Sequence, residues 1–139
     1  MVTGNVLPDD RDVWYRFRAT DTAETTGCDN YHVRARLADN PDDTFEMSVF
    51  RGSCTAAAEC AGTPGIVDYN WATDFRSTID GRLTGQCPCS NATEPPTDVS
   101  RCQDDTANYF VRVRRTTGSV LRCAGYTLEV SNGLYDFIP

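Results

Sequence analysis

Five stretches of the sequence alternate between apolar and polar residues with a period of two. They are DVWYRFRAT (12–20), YHVRARLA (31–38), TFEMSVF (44–50), NYFVRVRR (108–115) and GYTLEVS (125–131). Successive side chains of a β-strand point to opposite faces, so each stretch predicts a strand with one apolar face and one mostly polar face. Such strands are typical of antiparallel sheets that cover a core on one side and meet water on the other.

Short strands separated by turn signals predict an all-β fold, an antiparallel jelly-roll-like β-sandwich with disulfides, forming a single domain over residues 1–139. The apolar face of each strand should supply the core. The predicted core residues are Val13, Tyr15, Phe17, Val33, Leu37, Phe45, Met47, Val49, Tyr109, Val111, Val113, Tyr126, Leu128 and Val130.

The connections carry their own signals. ADNPDD (38–43) joins two strands, with Pro41 setting the turn, and TTGS (116–119) predicts a hairpin between 109–115 and 120–130. The alanine-rich segment 54–65 has room for one helical turn. The segment 69–79 predicts one or two further strands, with Trp71 and Phe75 as core candidates.

Seven cysteines are many for this length, and they indicate an oxidising compartment. The predicted pairs are Cys54–Cys60, Cys28–Cys123 and Cys89–Cys102, with Cys87, the alternative partner of Cys102, as the unpaired candidate. Two alternatives stay open, a reactive thiol or a zinc site built from Cys87, Cys89, Cys102 and Cys123. The one-residue gap between Cys87 and Cys89 argues against zinc, because zinc sites favour gaps of two or more residues.

The charge and apolar patterning restrict the partners. A net charge of −7 repels a polyphosphate at long range, so we expect no nucleic-acid partner. No run approaches the length of a membrane helix, which predicts no membrane span. The seven cysteines and the lack of a membrane-length apolar run together predict the mature or excised part of a secreted or cell-surface protein. The other domains of that protein are then expected partners of this one.

Arginine is concentrated on the polar strand faces. If the strands belong to one sheet, their guanidinium groups and neighbouring aromatic rings line one outer face that can bind an acidic polysaccharide or a partner domain. The candidate ligand-binding residues are Trp14, Arg16, Arg18, Arg34, Arg36, Phe110, Arg112 and Arg114. The alternative is a solvated face on which arginines pair with Glu46 and Glu129 across strands.

Catalytic signatures are weak. His32 is the only histidine, and parity places it on the polar face of its stretch. No nucleophile elbow, metalloprotease or phosphate-loop motif is present in the sequence. We therefore expect a non-catalytic accessory or binding module for extracellular carbohydrate or protein, without catalytic residues. Two other classes stay open, a structural spacer or folding domain without a ligand and a small hydrolase that uses a carboxylate pair.

Four segments in order, GNVLPDDRDVWYRFRA (4–19), VFRGSC (49–54), CQDDTANYFVRVRR (102–115) and YTLEVSN (126–132), carry a family resemblance. Together they resemble the bacterial pre-peptidase C-terminal domain, a family related to the collagen-binding domains of clostridial collagenases. The cysteines look like those of a variety found in secreted myxobacterial proteins. The resemblance implies a jelly-roll sandwich of about seven to nine strands that accompanies other domains outside the cell as an accessory module.

The same resemblance bears on metal binding. In the collagen-binding relatives calcium sits near the N-terminal start of the sandwich, and Asp9, Asp10 and Asp12 fall in the matching region. Calcium prefers several oxygen ligands, which clustered aspartates in loops can supply. The resemblance therefore implies calcium as the candidate cofactor. The alternative is that these aspartates cap turns and solvate loops.

Overall fold

The computed structural model describes residues 1–5, 12–21, 30–59, 65–79, 82–86, 106–116 and 125–132, with the side chains of 30–32, 70–79 and 82–86 outside that description. The described chain is all β, and two antiparallel sheets pack face to face as a sandwich. The predicted all-β antiparallel sandwich is thereby confirmed, whereas its disulfides stay a prediction. No helix in the described part is long and apolar enough to cross a membrane.

Eight strands form the two sheets. They are β1 (Val2–Gly4), β2 (Val13–Ala19), β3 (Asn30–Asp39), β4 (Phe45–Arg51), β5 (Asp68–Ile79), β6 (Arg82–Gln86), β7 (Ala107–Arg115) and β8 (Tyr126–Asn132). All five strands predicted from alternation are present, as β2, β3, β4, β7 and β8. The segment 69–79 forms a single strand, β5. Trp71 and Phe75 lie in it, but their side chains are among those outside the description.

Consecutive strands mostly lie in different sheets. One sheet has the order β1-β8-β3-β5-β6 and the other has the order β2-β7-β4. Among the described strands only β5 and β6 are both consecutive and paired. The predicted hairpin across 116–119 is therefore wrong, because β7 pairs with β2 and β4 while β8 pairs with β1 and β3. Strands β7 and β8 do contribute to the same predicted core, but from opposite sheets.

The connection between β3 and β4 also crosses between sheets. Residues Pro41–Asp43 form a short 3₁₀ turn, in which Asp42 and Asp43 have positive φ of 55° and 50°. Aspartate tolerates this region better than most residues. The side chain of Asn40 fixes the end of the turn, since its Nδ2 donates to the Phe45 carbonyl oxygen at 2.8 Å and its Oδ1 accepts from the Phe45 amide at 2.9 Å.

The outer edge of β4 is covered by the segments that follow it. The Met47 amide donates to the Ile66 carbonyl at 2.9 Å, and the Glu59 amide donates to the Val49 carbonyl at 2.8 Å. These bonds satisfy backbone groups that an open edge would expose. In the segment 54–65, the described residues contain a turn closed by the Ala56 amide and the Ser53 carbonyl, and no helix.

The core lies between the sheets and matches the predicted set. Ten of the predicted residues are buried, and the other four, Val13, Tyr15, Phe17 and Val130, are partly buried and pack against them. Tyr109 of β7 is at the centre, with its ring stacked 5.4 Å from Phe17 of the neighbouring strand and 6.2 Å from Tyr69 of the opposite sheet. Tyr69, which alternation did not mark, is buried with them.

A pair of tyrosines links the two sheets. The hydroxyls of Tyr15 on β2 and Tyr126 on β8 share a hydrogen bond of 2.8 Å, and their rings meet edge to face at 6.5 Å. Tyr126 is buried, and this burial, with a smaller effect of the Tyr15 hydroxyl, raises the pKa of Tyr126 well above the ordinary tyrosine value. The folded protein therefore holds the Tyr126 proton at a pH where the unfolded chain releases it.

This shift makes the contribution of Tyr126 depend on alkaline pH. The contribution of Tyr126 to the free energy of unfolding is complete below about pH 10, the ordinary tyrosine pKa. It is lost as the pH rises from there towards the raised pKa that Tyr126 has in the folded protein. At pH 8, Tyr126→Phe should cost about 1 kcal/mol for the lost hydrogen bond. The wild-type advantage over Tyr126→Phe should then shrink by about 1.4 kcal/mol per pH unit above pH 10. Urea denaturation of both proteins from pH 8 to 11 measures it, and a constant difference would contradict the prediction.

Candidate functional site

The eight candidate ligand-binding residues fall on two opposite outer faces. Strands β2 and β7 pair in the three-stranded sheet, and they bring together Trp14, Arg16, Arg18, Phe110, Arg112 and Arg114. Strand β3 belongs to the five-stranded sheet, where the buried Val33 and Ala35 put Arg34 and Arg36 on the other outer face. The prediction of a single face with six arginines assumed that β2, β3 and β7 belong to the same sheet. That prediction is wrong, because β3 lies in the other sheet.

The two arginines of β3 are neutralised by neighbouring strands. Arg34 binds the Asp68 carboxylate with two bonds, from Nε to Oδ1 at 3.1 Å and from Nη2 to Oδ2 at 2.7 Å. Arg36 donates from Nε to Glu129 Oε2 at 2.7 Å. The predicted pairing of an arginine with Glu129 is confirmed. This face therefore presents arginine charges that already have carboxylate partners.

The outer face of the three-stranded sheet is different, and we call it the arginine–tryptophan face. The strand register arranges its residues in rows, with Trp14 beside Arg112 and Ser48, and Arg16 beside Phe110 and Phe50. Its outward-facing residues are Trp14, Arg16 and Arg18 on β2, Asn108, Phe110, Arg112 and Arg114 on β7, and Glu46, Ser48 and Phe50 on β4.

Three side chains at the centre of this face hold one another. The Trp14 and Phe50 rings lie 5.2 Å apart across the central strand, tilted by 35°. The Arg112 guanidinium is 5.8 Å from the Trp14 ring centroid and 5.7 Å from that of Phe50, within the range of cation–π attraction. Phe50 is covered to 8% exposure although it points outward, whereas Trp14 keeps 43%. An aromatic ring is thus held in place and still open to a ligand.

Polar contacts also fix the arginines of β7. Arg112 donates from Nη2 to Ser48 Oγ at 3.3 Å, and its Nη1 lies 3.6 Å from Asp12 Oδ2. Arg114 forms an ion pair with Glu46 on the neighbouring strand, which confirms the predicted pairing with Glu46. Both guanidinium groups therefore belong to the framework of the face.

The arginines of β2 are not tied to carboxylates. Arg16 and Arg18 are exposed, and Arg16 donates from Nη2 to Asn108 Oδ1 at 3.3 Å. Within the described part of the chain, neither has an ion pair with a carboxylate. Trp14, Arg16 and Arg18 occupy alternate positions of one strand, about 7 Å apart. Two guanidinium groups with free hydrogen-bond donors therefore follow the exposed indole along β2.

The other predicted sites are described only in part. Asp9 and Asp10 lie outside the described residues, and Asp12 already faces the Arg112 guanidinium. No group of three or more histidine, cysteine or acidic side chains suited to a metal occurs among the residues that the structure describes. Calcium at this position stays a prediction.

The cysteine predictions are also untested, because most of the cysteines lie outside the described residues. Cys54 is exposed, and Cys28, Cys60, Cys87, Cys89, Cys102 and Cys123 lie outside the described residues. The disulfide pairs, the unpaired Cys87 and the zinc alternative therefore stay predictions. The side chain of His32, on β3, is likewise outside the description.

Four residues of the face, Glu46, Ser48, Phe50 and Asn108, were not among the candidate ligand-binding residues. Phe50 and Ser48 alternate outward on β4, so the same parity that selected Trp14 also marked them. Phe50 and Ser48 were missed because the outward positions of β4 carry no arginine. The pairing of β4 with β7, which puts them beside Arg112, is a property of the sheet and not of the local pattern.

Comparisons of the chain with protein-family models, with curated proteins and with solved structures found no match. The arginine–tryptophan face is therefore the basis on which a function is proposed.

Proposed function

We propose that this chain is a non-catalytic binding module of a secreted or cell-surface protein, and that its arginine–tryptophan face binds extracellular carbohydrate. The observation that carries the proposal is Trp14, which keeps 43% exposure while Phe50 and Arg112 hold its ring in place. A ring fixed before binding loses little side-chain entropy when a ligand stacks on it.

The chemistry of the face suits a sugar. The C–H groups on one side of a pyranose ring are apolar and slightly positive, and they stack on the negative face of an aromatic ring. Sugar hydroxyls need polar partners nearby. Arg16 lies in the row next to that of Trp14, and Asn108 lies in the row after it. The outer face of a sheet also suits an extended chain of sugar units, because its side chains recur at a regular spacing along each strand.

Carbohydrate is favoured over a protein partner by the distribution of exposed apolar groups. Stable protein interfaces bury about 800 Å² on each partner around a cluster of apolar anchors. Among the described residues the large exposed hydrophobic ones are Met1, Val2, Trp14 and Val67, and only Trp14 lies on this face. One exposed ring is a small anchor for a protein and a sufficient one for a sugar.

The extracellular assignment is supported by the seven cysteines of the chain. The resemblance to pre-peptidase C-terminal domains supports an accessory role beside other domains of a larger protein. Three of the segments that carry the resemblance contain β2, β7 and β8, which are strands of the sandwich.

A binding screen with a matched control tests the proposal. Affinity electrophoresis against a panel of soluble neutral and acidic polysaccharides, followed by calorimetry, should detect binding. Trp14→Ala should weaken it at least tenfold, because the stacking surface is lost. Val67→Ala, which removes a side chain of similar exposure (41%) away from the face, should change affinity less than twofold. Thermal melts of both variants confirm that the sandwich remains folded.

Three results would overturn the proposal. Binding that survives Trp14→Ala would place the carbohydrate site elsewhere. Capture of a protein ligand together with failure on every polysaccharide would make the module a protein binder. Failure with both classes would favour a structural spacer.

A further inference from the structure

We propose that the ligand of the arginine–tryptophan face is an acidic polysaccharide, whose carboxylate or sulfate groups are bound by Arg16 and Arg18 while a sugar ring stacks on Trp14. This inference rests on the proposed carbohydrate function and adds the class of carbohydrate. It depends on a separate observation, which is the unequal pairing of the arginines described above.

Among the described residues, the charges of the face do not cancel. Its outward-facing strand positions carry four arginines, Arg16, Arg18, Arg112 and Arg114, and the described carboxylates that pair with arginines there are those of Asp12 and Glu46. Both carboxylates bind the β7 arginines. The local excess of positive charge therefore lies on β2, at the two exposed guanidinium groups.

The opposite outer face provides an internal comparison. Arg34 and Arg36 occupy the same parity on β3, and each has a carboxylate within 2.7 Å. The chain therefore pairs outward arginines on one face and leaves two on the other without a carboxylate among the described residues. On a protein of net charge −7, such an exception favours a ligand that supplies the missing anions.

The net charge of the protein also restricts where an acidic polysaccharide can bind. A polyanion is repelled by the molecule as a whole at long range, so attraction has to come from short-range contact with this face. The planar guanidinium binds carboxylate or sulfate with two parallel hydrogen bonds. Arg16 and Arg18 occupy alternate positions on β2, whose Cα atoms are about 7 Å apart, so successive acidic units of an extended chain can reach the two guanidinium groups in turn.

The test uses the full chain and three ligands, a neutral β-glucan, polygalacturonate as a uronate, and dextran sulfate. Wild type should bind at least one acidic polysaccharide ten times more tightly than the neutral one, and the two acidic arms distinguish carboxylate from sulfate. The R16Q/R18Q variant should lose at least tenfold in affinity for the acidic ligand. The R34Q/R36Q variant removes the same charge from the opposite face and should lose less than twofold.

The outcomes separate this inference from the proposed function. Equal binding of neutral and acidic polysaccharides that still requires Trp14 would overturn the acidic ligand and leave the carbohydrate function in place. Equal losses in R16Q/R18Q and R34Q/R36Q would show general charge attraction and overturn the assignment to Arg16 and Arg18. Absence of binding to all three ligands and to the wider panel would overturn both. Affinity that falls as sodium chloride rises from 50 to 500 mM is expected for the acidic ligand.

Discussion

Replacing Tyr109 with alanine should lower the free energy of unfolding by about 3–5 kcal/mol, the loss typical of a large aromatic residue removed from a core. Tyr109 has no exposed surface, and its ring contacts Phe17 in its own sheet and Tyr69 in the opposite one. Its removal leaves a cavity between the sheets that neither can close alone. Since small domains are stable by about 5–15 kcal/mol, this single change should remove about a fifth or more of the total. Urea denaturation followed by circular dichroism measures it.

The adjacent residue is the matched control. Phe110 is of similar size, belongs to the same strand and points to the arginine–tryptophan face, where it is only partly buried. Phe110→Ala should cost only about 1–2 kcal/mol, because the ring is partly open to water and its removal leaves no closed cavity. Equal losses for Tyr109→Ala and Phe110→Ala would contradict the assignment of the two faces of β7.

Replacing Gly125 with alanine should detach the first strand of the five-stranded sheet. A Cβ on Gly125 would lie 2.5 Å from the carbonyl oxygen of Gly4, a backbone atom that cannot turn aside. The three residues of β1 should move away from β8, because β1 is short and its first two residues are exposed. Overpacking of this kind costs about 1–3 kcal/mol. Hydrogen exchange should show lost protection at Val2–Gly4, with protection retained in β7.

Gly52 provides a control that distinguishes the steric clash at Gly125 from the effect of backbone strain. Gly52 has a φ of +82°, and a Cβ there would meet nothing within 4 Å. Gly52→Ala should therefore cost about 1–2 kcal/mol through its left-handed conformation, yet leave exchange in β1 unchanged. If Gly125→Ala leaves the protection of β1 intact, the close approach of Gly4 and Gly125 does not hold the strand.

Alternation predicted which side of each strand faces the core, because burial imposes that pattern residue by residue. Val33 and Ala35 on β3 are buried just as parity requires. Phe50 departs from the pattern, since it points outward and is nevertheless covered by Trp14 from another strand. Such cover depends on which strands are neighbours, and local sequence does not encode that.

Sheet membership was the part that alternation did not predict. A strand of either sheet turns its apolar face to the same core, so β3 and β7 have similar patterns although they lie on opposite sides. The expectation that one sheet carries all six arginines therefore holds for Arg16 and Arg112, whose strands are paired, and is wrong for Arg34 and Arg36, which lie in the other sheet. Short strands add a second limit, because the three residues of β1 are too few to show a period.

The crossing of consecutive strands between sheets has a consequence for synthesis. Strand β2 finds its ladder partner only in β7, where Val13 meets Val113 about a hundred residues later, and β1 similarly depends on β8. At about 5–20 residues per second, a ribosome takes roughly 5–20 s to make that interval. During this time β2 presents Tyr15 and Phe17 without a partner, and pairings so distant along the chain form slowly, in milliseconds to seconds. Strands β3, β5 and β6 can pair before β7 and β8 emerge, so the molecule assembles from its middle outward and β1 and β2 are the last of the early strands to be paired.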